Sequence, residues 1–229
     1  MNNLLDKLKK TSTVKHTAIL SESKLFNKKD MVTTDIPVLN IALSGSVDGG
    51  LTPGLTVIAG PSKHFKSNLA LIMVSAYLTK FPDAVCLLYD TEFGITPDYL
   101  VAMGVDPKRC LHTPVEHVEQ LKFDIVKQLE NIERGDKVII MLDSIGNLAS
   151  KKELEDAMNE KSVADMSRAK AIKGLFRIIT PYLTTRDIPA VVINHTYQEI
   201  GLFPKSIMGG GTGIYYSANQ IFFMGRQQE

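Results

Sequence analysis

The stretch Gly60-Pro-Ser-Lys-His-Phe-Lys-Ser67 joins a short apolar run at residues 55–59 to a segment with apolar residues at helical spacing. A strand followed by such a turn and a helix points several backbone N–H groups, and the positive end of the helix dipole, at one place. That arrangement favours a polyphosphate, with Lys66 reaching its β- and γ-phosphates and the Ser67 hydroxyl holding Mg²⁺. We therefore predict a nucleotide-binding loop made of Gly60, Pro61, Ser62, Lys63, His64, Phe65, Lys66 and Ser67.

The loop departs at one position from the full signature Gly-x-x-x-x-Gly-Lys-Ser/Thr. Phe65 stands where the signature has its second glycine. Gly60, Lys66 and Ser67 keep the expected spacing, and the flanking strand and helix are the context that the signature requires. The alternative is a chance Lys-Ser pair at the start of a helix. The context favours the nucleotide site over this alternative.

The composition is that of an ordinary globular chain. Its 229 residues are 44% hydrophobic and 22% charged, which predicts one main domain with a substantial core. A net charge of +1 gives no overall attraction to nucleic acid, so DNA binding would have to come from local patches. Cys86 and Cys110 lie in apolar stretches without metal-ligand spacing and are expected to be reduced and buried. No secretory or membrane-spanning segment is apparent, so the expected location is the cytoplasm.

Short apolar runs alternate with segments of helical period along most of the chain. The runs lie at residues 55–59, 84–89, 138–142, 190–194 and 220–224, and the clearest helical segments lie at 117–132 and, with an interruption, at 151–183. Such alternation is typical of a mostly parallel sheet with helices on both faces. We predict an α/β fold of this kind for residues 31–229.

The first 30 residues differ from the rest. They contain a short amphipathic helix pattern with Leu4, Leu5 and Leu8, followed by a polar stretch. Such an N-terminal appendage either packs on its own core or docks on a neighbouring molecule. At the other end the chain stops directly after an apolar run, and we expect the core to be truncated at its C-terminus.

Two acidic positions follow apolar runs of the predicted sheet. Asp143 comes at the end of the run 138–142, at the edge where open α/β sheets bind ligands, and fits a role near Mg²⁺. Glu92 follows the run 84–89 and fits a carboxylate that orients and deprotonates an attacking water, with Asp90 as the lesser candidate. The alternatives are a strand-ending or helix-capping role for Asp143, and turn or cap roles for Asp90 and Glu92.

The order of strands, phosphate loop and carboxylates resembles the RecA-like recombinase core, a P-loop ATPase fold. More narrowly, several motifs resemble the UvsX recombinases of T-even-type bacteriophages, in which phenylalanine also precedes the lysine of the loop. The motifs span essentially the whole chain: Gly60-Pro-Ser-Lys-His-Phe-Lys-Ser67, Asp83-Ala-Val-Cys86, Glu92-Phe-Gly-Ile-Thr-Pro97, Asn194-His195-Thr196 and Met208-Gly-Gly-Gly-Thr-Gly213.

The resemblance implies a DNA-dependent ATPase that uses ATP and Mg²⁺, polymerises on single-stranded DNA, and promotes homologous pairing and strand exchange with duplex DNA in phage recombination, repair and recombination-dependent replication. It implies that Lys66 and Ser67 bind the phosphates and Mg²⁺, that Asp143 supports the metal, and that Glu92 activates water. Tyr99 falls where the family stacks an aromatic ring on adenine, with core packing as the alternative. His195 falls at the family's γ-phosphate sensor, with a plain hydrogen-bonding role as the alternative.

The resemblance also places two DNA-binding loops, at residues 152–167 and 196–213, which should be mobile without DNA. Glycines in the second loop would let DNA phosphates approach the backbone, and nearby cations would add charge. The predicted DNA-binding residues are Arg168, Lys173, Lys205, Gly209, Gly210 and Gly211, with Lys170 as a further cation near the same channel. The alternative is that these are ordinary loops and solvated lysines.

The implied partners are DNA, further copies of the chain in a helical filament, and recombination mediator and single-strand-binding proteins in the cytoplasm of an infected bacterium. In this family, residues before about 30 pack on the adjacent protomer, and a neighbour supplies cations to ATP from sequence beyond this segment. We therefore expect weak hydrolysis by the segment alone. The alternatives left open are a ring-forming helicase or clock-type ATPase, and a non-hydrolysing, nucleotide-gated DNA-binding module. A small-molecule kinase is disfavoured because no Arg-rich lid is present.

Overall fold

The computed structural model describes residues 3–14, 16–23, 25, 29–159, 167–199 and 205–225. The chain divides into two compact units, Met1–Asp30 and Met31–Glu229. In the first unit, helix α1 spans Asn3–Thr11, and a 3-10 turn spans Leu20–Glu22. Lys9 pairs with Glu22 at 3.0 Å, while Leu4, Leu5 and Leu8 of α1 are exposed.

The second unit alternates strands and helices. Its strands are β1 Gly54–Gly60, β2 Val85–Asp90, β3 Cys110–Pro114, β4 Val138–Asp143, β5 Pro189–Gln198, β6 Ser206–Met208 and β7 Gln220–Phe223. Its helices are α2 Pro37–Ser44, α3 Lys66–Lys80, α4 Pro97–Ala102, α5 Val118–Asn131, α6 Lys151–Met158, α7 Ser167–Arg186 and α8 Gly213–Ser217.

The strands form one sheet in the order β3-β2-β4-β5-β1-β7, with β6 paired to β5. Every pairing along the main path is parallel, and only the β5–β6 pair is antiparallel. Because β1, β2, β4 and β5 run parallel, their C-terminal ends lie at one edge of the sheet. This is the edge at which open parallel sheets bind ligands.

Both faces of the sheet are covered. All residues of β1 and β4 are buried. On one face the core includes α5 and α7, with Leu121, Ile125 and Phe176 among its members; on the other it includes α3, with Leu71 and Met73. Central parallel strands buried on both faces read as continuous apolar runs, which is why the sequence revealed them. The predicted α/β fold class is confirmed.

The structure adds to the predicted elements and corrects some of them. Strands β3 and β6 were not predicted, because β3 is an edge strand with much of its surface exposed and β6 is only three residues long. The helical tract at 151–183 consists of two helices, α6 and α7. Cys110 on β3 is half-buried, so the prediction that both cysteines are buried holds only for Cys86.

The two predicted DNA loops contain more regular structure than a mobile loop would have. Most of α6 falls in the first stretch, and the end of β5, all of β6 and the turn into α8 fall in the second. Residues 160–166 and 200–204, which complete these stretches, lie outside the described residues. Among the helices in the described parts of the chain, none has the length and apolar character needed to cross a bilayer.

Candidate nucleotide-binding site

The phosphate loop runs from the end of β1 to the start of α3 and has an unusual backbone. Lys63 and Phe65 adopt left-handed conformations, with φ of 62° and 55°. A non-glycine residue in this region costs about 1–2 kcal/mol, which is why the signature has glycine at the position of Phe65. The Phe65 side chain is 75% exposed, so it gains little from packing in return. Phe65 therefore fits the loop geometry, at an energetic cost.

Lys66 begins α3 and lies beneath the loop. Its side chain is buried, and its Nζ donates a hydrogen bond of 2.7 Å to the carbonyl oxygen of Pro61. Burial lowers the pKa of Lys66, while the nearby charges of Glu92 and Asp143 oppose this shift. The ammonium thus holds the loop closed around the position that the phosphate-binding motif assigns to a phosphate.

Ser67 and Asp143 lie in direct contact. The Ser67 hydroxyl donates a hydrogen bond of 2.6 Å to Oδ2 of Asp143, at the end of β4. Burial raises the pKa of Asp143 to about 6; the Ser67 hydrogen bond opposes the shift, and the charges of Glu92 and Asp90 add to it. The other carboxylate oxygen, Oδ1, is buried and has no hydrogen-bond partner among the residues that the structure describes.

An unpartnered buried carboxylate oxygen beside a serine hydroxyl suits Mg²⁺. This ion prefers oxygen ligands and is usually held by one or two protein groups together with substrate phosphates and water. Within the described ranges, no group of three or more His, Cys, Asp or Glu side chains forms a cage for a metal ion. The residues present therefore fit Mg²⁺ bound through Ser67 and Asp143 together with a phosphate.

Glu92 lies just beyond β2 and accepts hydrogen bonds from three side chains. Its Oε1 accepts from Ser144 Oγ at 2.7 Å and from Asn147 Nδ2 at 3.2 Å, and it lies 2.7 Å from Nε2 of His195. Burial alone would raise the pKa of Glu92, but the hydrogen bonds from Ser144 and His195, helped by the charge of Lys66, lower it overall. Glu92 is therefore an ionised acceptor near neutral pH.

Asp90, the lesser candidate for water activation, is engaged elsewhere. It is buried, and its Oδ1 accepts the backbone N–H groups of Glu92 and Phe93 at 3.0 and 2.7 Å. Its Oδ2 lies 3.2 Å from Nε2 of His112 on β3. Asp90 thus shapes the turn that presents Glu92. The turn-forming alternative, given for both residues, describes Asp90, whereas the Glu92 side chain makes the contacts given above.

A cavity of about 400 Å³ brings the predicted residues together. It is lined by the phosphate loop from Ser62 to Ser67 and by Glu92, Tyr99, Asp143 and His195, among others. Tyr99 is half-buried on α4, and burial followed by the charge of Asp143 raises the pKa of its hydroxyl. The phosphate loop, both carboxylates, the aromatic residue and the imidazole therefore face one space.

Four residues near Glu92 were not predicted from the sequence. Ser144 and Asn147 bind its carboxylate, and Thr91 accepts the backbone N–H of Ser144 while donating to the Ser144 carbonyl. At Gly146 an added Cβ would lie 2.1 Å from the His195 ring. Their only signal was position: Ser144, Gly146 and Asn147 closely follow Asp143, and Thr91 follows Asp90, each after a buried strand at the ligand-binding edge.

Arg168, a predicted DNA-binding residue, binds three backbone carbonyl groups, and its contact with DNA stays a prediction. Its Nε donates to the carbonyl oxygen of Leu148 at 2.6 Å, and its Nη2 donates to those of Ile145 and Gly146 at 2.9 and 2.7 Å. These bonds fix the segment after β4 that carries Asn147. Arg168 is therefore a structural clamp for the loop beside Glu92, and an arginine so engaged is poorly placed to contact phosphates.

The three predicted DNA-binding glycines form a turn between β6 and α8. The N–H of Gly209 donates to the carbonyl of His195 at 3.0 Å. Gly210 and Gly211 have φ of 88° and 77°, and a Cβ on Gly210 would lie 2.9 Å from Cδ1 of Ile172. A positive φ and close packing on α7 explain Gly210 and Gly211 without DNA, whereas neither applies to Gly209.

The remaining predicted DNA-binding cations are exposed. Lys205 directly precedes β6. Lys173 lies on α7 and packs against Gly213, where an added Cβ would lie 2.7 Å from the Cβ of Lys173. Lys170, one turn earlier on α7, is exposed as well. Contact of these lysines with DNA stays a prediction.

The fold and the site define a RecA-like nucleotide-binding core, and the chain belongs to the RecA N-terminal domain family, whose model matches residues 2–223. It is similar to the "Recombination and repair protein" of Enterobacteria phage T4, at 59% identity over 228 residues that cover 100% of this chain and 58% of that protein. The "Protein RecA" of Paenarthrobacter aurescens is 29% identical over 191 residues, covering 81% of this chain and 53% of that protein. The "Protein RecA" of Wolinella succinogenes is 26% identical over 204 residues, which cover 86% of this chain and 55% of that protein.

The resemblance drawn from the motifs is thereby confirmed. The chain spans between half and three fifths of the length of these relatives.

Proposed function

We propose that this chain is the ATP-binding core of a DNA recombinase. The observation that carries the proposal is the convergence of Lys66, Ser67, Asp143, Glu92 and His195 on one cavity of about 400 Å³. ATP would place its triphosphate in the loop, with Lys66 at the β- and γ-phosphates. Ser67 and Asp143 would hold Mg²⁺, which supplies charge neutralisation at the phosphates when bound.

Hydrolysis requires a water positioned in line with the γ-phosphate and relieved of a proton. Glu92 is the group for this task, because it is ionised and faces the same cavity as Lys66. In the structure its Oε1 is engaged by Ser144, Asn147 and His195. We infer that His195 turns from Glu92 toward the γ-phosphate when ATP binds, which frees a lone pair on Glu92 for water.

This exchange would link the nucleotide to the DNA-binding region. His195 lies on β5, which pairs with β6, and its carbonyl accepts the N–H of Gly209 in the turn before α8. A movement of His195 is therefore transmitted directly to residues 205–213. Lys173 and Lys205, exposed in this region, would contribute phosphate contacts that do not depend on DNA sequence and weaken with salt.

Polymerisation on single-stranded DNA, homologous pairing and strand exchange are the activities that we propose for the assembled protein. Their support is the family membership and the printed name of the phage T4 relative, "Recombination and repair protein". The exposed leucines of α1 are suited to pack on a second copy in a helical filament. Recombination mediator and single-strand-binding proteins are further proposed partners, and DNA-dependent ATP hydrolysis is the proposed enzymatic activity.

Electron microscopy of the chain mixed with a single-stranded homopolymer tests this proposal. We expect open helical filaments with ATP, few with ADP, and none in Lys66→Ala, while Lys127→Ala, which changes an exposed lysine on α5 outside the cavity, behaves like the parent chain. If closed rings formed instead, the function would be that of a ring-forming ATPase and the recombinase proposal would be wrong. DNA coating that persists without ATP turnover would point instead to a non-hydrolysing module.

A further inference from the structure

Cys86 and Cys110 face each other across two strands. They are partners in the parallel register of β2 and β3, so their side chains emerge on the same face of the sheet. Both contact the core formed with α3. Neighbouring strands lie about 4.8 Å apart, and a Cα separation of about 4.4–6.8 Å suits a disulfide. The register therefore places both sulfurs within bonding reach without rearrangement of the sheet.

The two thiols differ in access and in acidity. Cys86 is 1% exposed in the core, whereas Cys110 is half-buried on the edge strand β3, and both are free. The register sets the Cys86 thiol beside the Cys110 sulfur, and this proximity lowers the pKa of Cys110; the same proximity, together with burial, raises the pKa of Cys86. The Cys110 sulfur also donates to the carbonyl oxygen of Asp106 at 3.6 Å. A partly accessible sulfur with thiolate character beside a protected thiol is the arrangement of a reacting and a resolving cysteine.

We propose that Cys110 and Cys86 form a peroxide-sensitive pair, in which Cys110 reacts first and Cys86 converts the product to an intramolecular disulfide. The Cys110 thiolate attacks one oxygen of hydrogen peroxide, the O–O bond breaks, and hydroxide leaves; Cys110 becomes a sulfenic acid. The Cys86 sulfur then attacks the Cys110 sulfur, the S–O bond breaks, and the thiol proton departs with the hydroxyl group as water. Overall, two thiols lose two electrons and one peroxide is reduced to two waters.

A disulfide between Cys86 and Cys110 would enclose chain segments that line the nucleotide cavity. Residues 87–109, between the two cysteines, carry Glu92 and Tyr99. The disulfide would close this segment into a ring and tie β3 to β2. The chemistry of the pair is independent of the proposed recombinase function, because it needs neither ATP nor DNA.

Intact mass spectrometry of the native chain after brief exposure to hydrogen peroxide tests the proposal. Free thiols are then blocked with iodoacetamide in denaturant. We expect a species about 2 Da lighter that takes up no alkyl group, and that recovers both reactive thiols after dithiothreitol. A digest should contain one peptide pair joined through Cys86 and Cys110. Retention of both alkylatable thiols, or disulfide-linked dimers in place of the lighter monomer, would overturn the proposal.

Single substitutions separate the two roles. In Cys86→Ala we expect a sulfenic acid on Cys110 that is trapped by dimedone, and in Cys110→Ala we expect no oxidation of Cys86 at the same peroxide dose. Equal oxidation of Cys86 in Cys110→Ala would contradict the assignment of Cys110 as the reacting thiol. The measurement on the unsubstituted chain decides the main point even if a variant fails to fold.

Discussion

The Nε2 atom of His195 lies 2.7 Å from Oε1 of Glu92, so the proposed γ-phosphate sensor and the proposed water-activating carboxylate are in direct contact. The two residues are 103 positions apart in sequence and come from β5 and from the turn after β2. Gly146 makes the contact possible, because any side chain there would overlap the imidazole ring. The proposed sensing of the γ-phosphate and the proposed activation of water would thus be coupled through one hydrogen bond.

Glu92→Gln should abolish most ATP turnover while ATP binding persists. The amide keeps the size of the carboxylate but cannot accept a proton, so we expect turnover to fall at least about 100-fold. A steady-state phosphate-release assay beside a nucleotide-binding titration measures both properties. Glu130→Gln, at an exposed position on α5, is the matched control and should turn over like the parent chain.

Lys66→Ala should weaken ATP binding. A buried ammonium at the phosphates contributes charge-assisted hydrogen bonds, so its loss should raise the Kd for ATP by about 10- to 100-fold. Titration with a fluorescent ATP analogue is the measurement, and Lys63→Ala, in the same loop but exposed, is the control. An equal effect of both substitutions would mean that the loop binds phosphate by charge alone.

Asp143→Asn should stabilise the protein without nucleotide at neutral pH. Burial raises the pKa of Asp143 to about 6 from an ordinary value of 3.8. A carboxyl group with a raised folded-state pKa adds stability below the unfolded value, and this stability is lost as pH rises through 6. The neutral amide avoids that loss, so the free energy of unfolding should increase by about 1–2 kcal/mol at pH 7.5.

Urea unfolding at two pH values measures this effect. The difference between Asp143→Asn and the parent chain should shrink by roughly half at pH 5, where the parent carboxyl is largely protonated when folded. Asp83→Asn, at an exposed turn, should show no such pH dependence. If Asp143→Asn were less stable than the parent chain at pH 7.5, the buried Asp143 carboxylate would not destabilise the folded protein as proposed.

Phe65→Gly should not destabilise the protein despite the loss of a large side chain. Glycine adopts the φ of 55° without strain, which offsets its greater freedom in the unfolded state. We expect a change in the free energy of unfolding between about 0 and +1 kcal/mol. Phe123→Gly replaces an equally exposed phenylalanine within α5 and should cost about 1 kcal/mol. Thermal unfolding of both variants checks the contrast.

Arg168→Ala should destabilise the chain in the absence of DNA. The change removes the Arg168 donor from the carbonyl groups of Ile145, Gly146 and Leu148, of which Ile145 keeps the N–H of Leu148. We expect a loss of about 2–3 kcal/mol in unfolding free energy. Lys170→Ala, at an exposed site on the same helix, should have little effect. If Arg168→Ala left stability intact and weakened only DNA binding, the clamp role would be wrong.

The sequence revealed the central sheet because its strands are buried on both faces and therefore read as apolar runs. The edge strand β3 lacks that pattern, since Leu111 is 52% exposed. The three-residue strand β6 is too short to carry any period. Such elements depend on pairing partners distant in sequence, which local patterns do not report.

The site was predictable where a motif fixes the spacing and less so where contacts join distant segments. Lys66, Ser67 and Asp143 lie where the loop and the strand end placed them. The bond between Glu92 and His195 depends on the relative position of β2 and β5 and could not be read from either motif. The bonds from Arg168 to backbone carbonyls likewise join segments that are distant in sequence, and no local pattern around Arg168 indicated them.

The proposed function requires that DNA stimulate ATP hydrolysis at the nucleotide site. The most direct test is the rate of ATP hydrolysis with and without a single-stranded homopolymer. We predict that DNA raises the rate of ATP hydrolysis in the parent chain and in Glu130→Gln, and that Glu92→Gln abolishes the increase. A rate unchanged by DNA in the parent chain, or an increase that survives in Glu92→Gln, would contradict it.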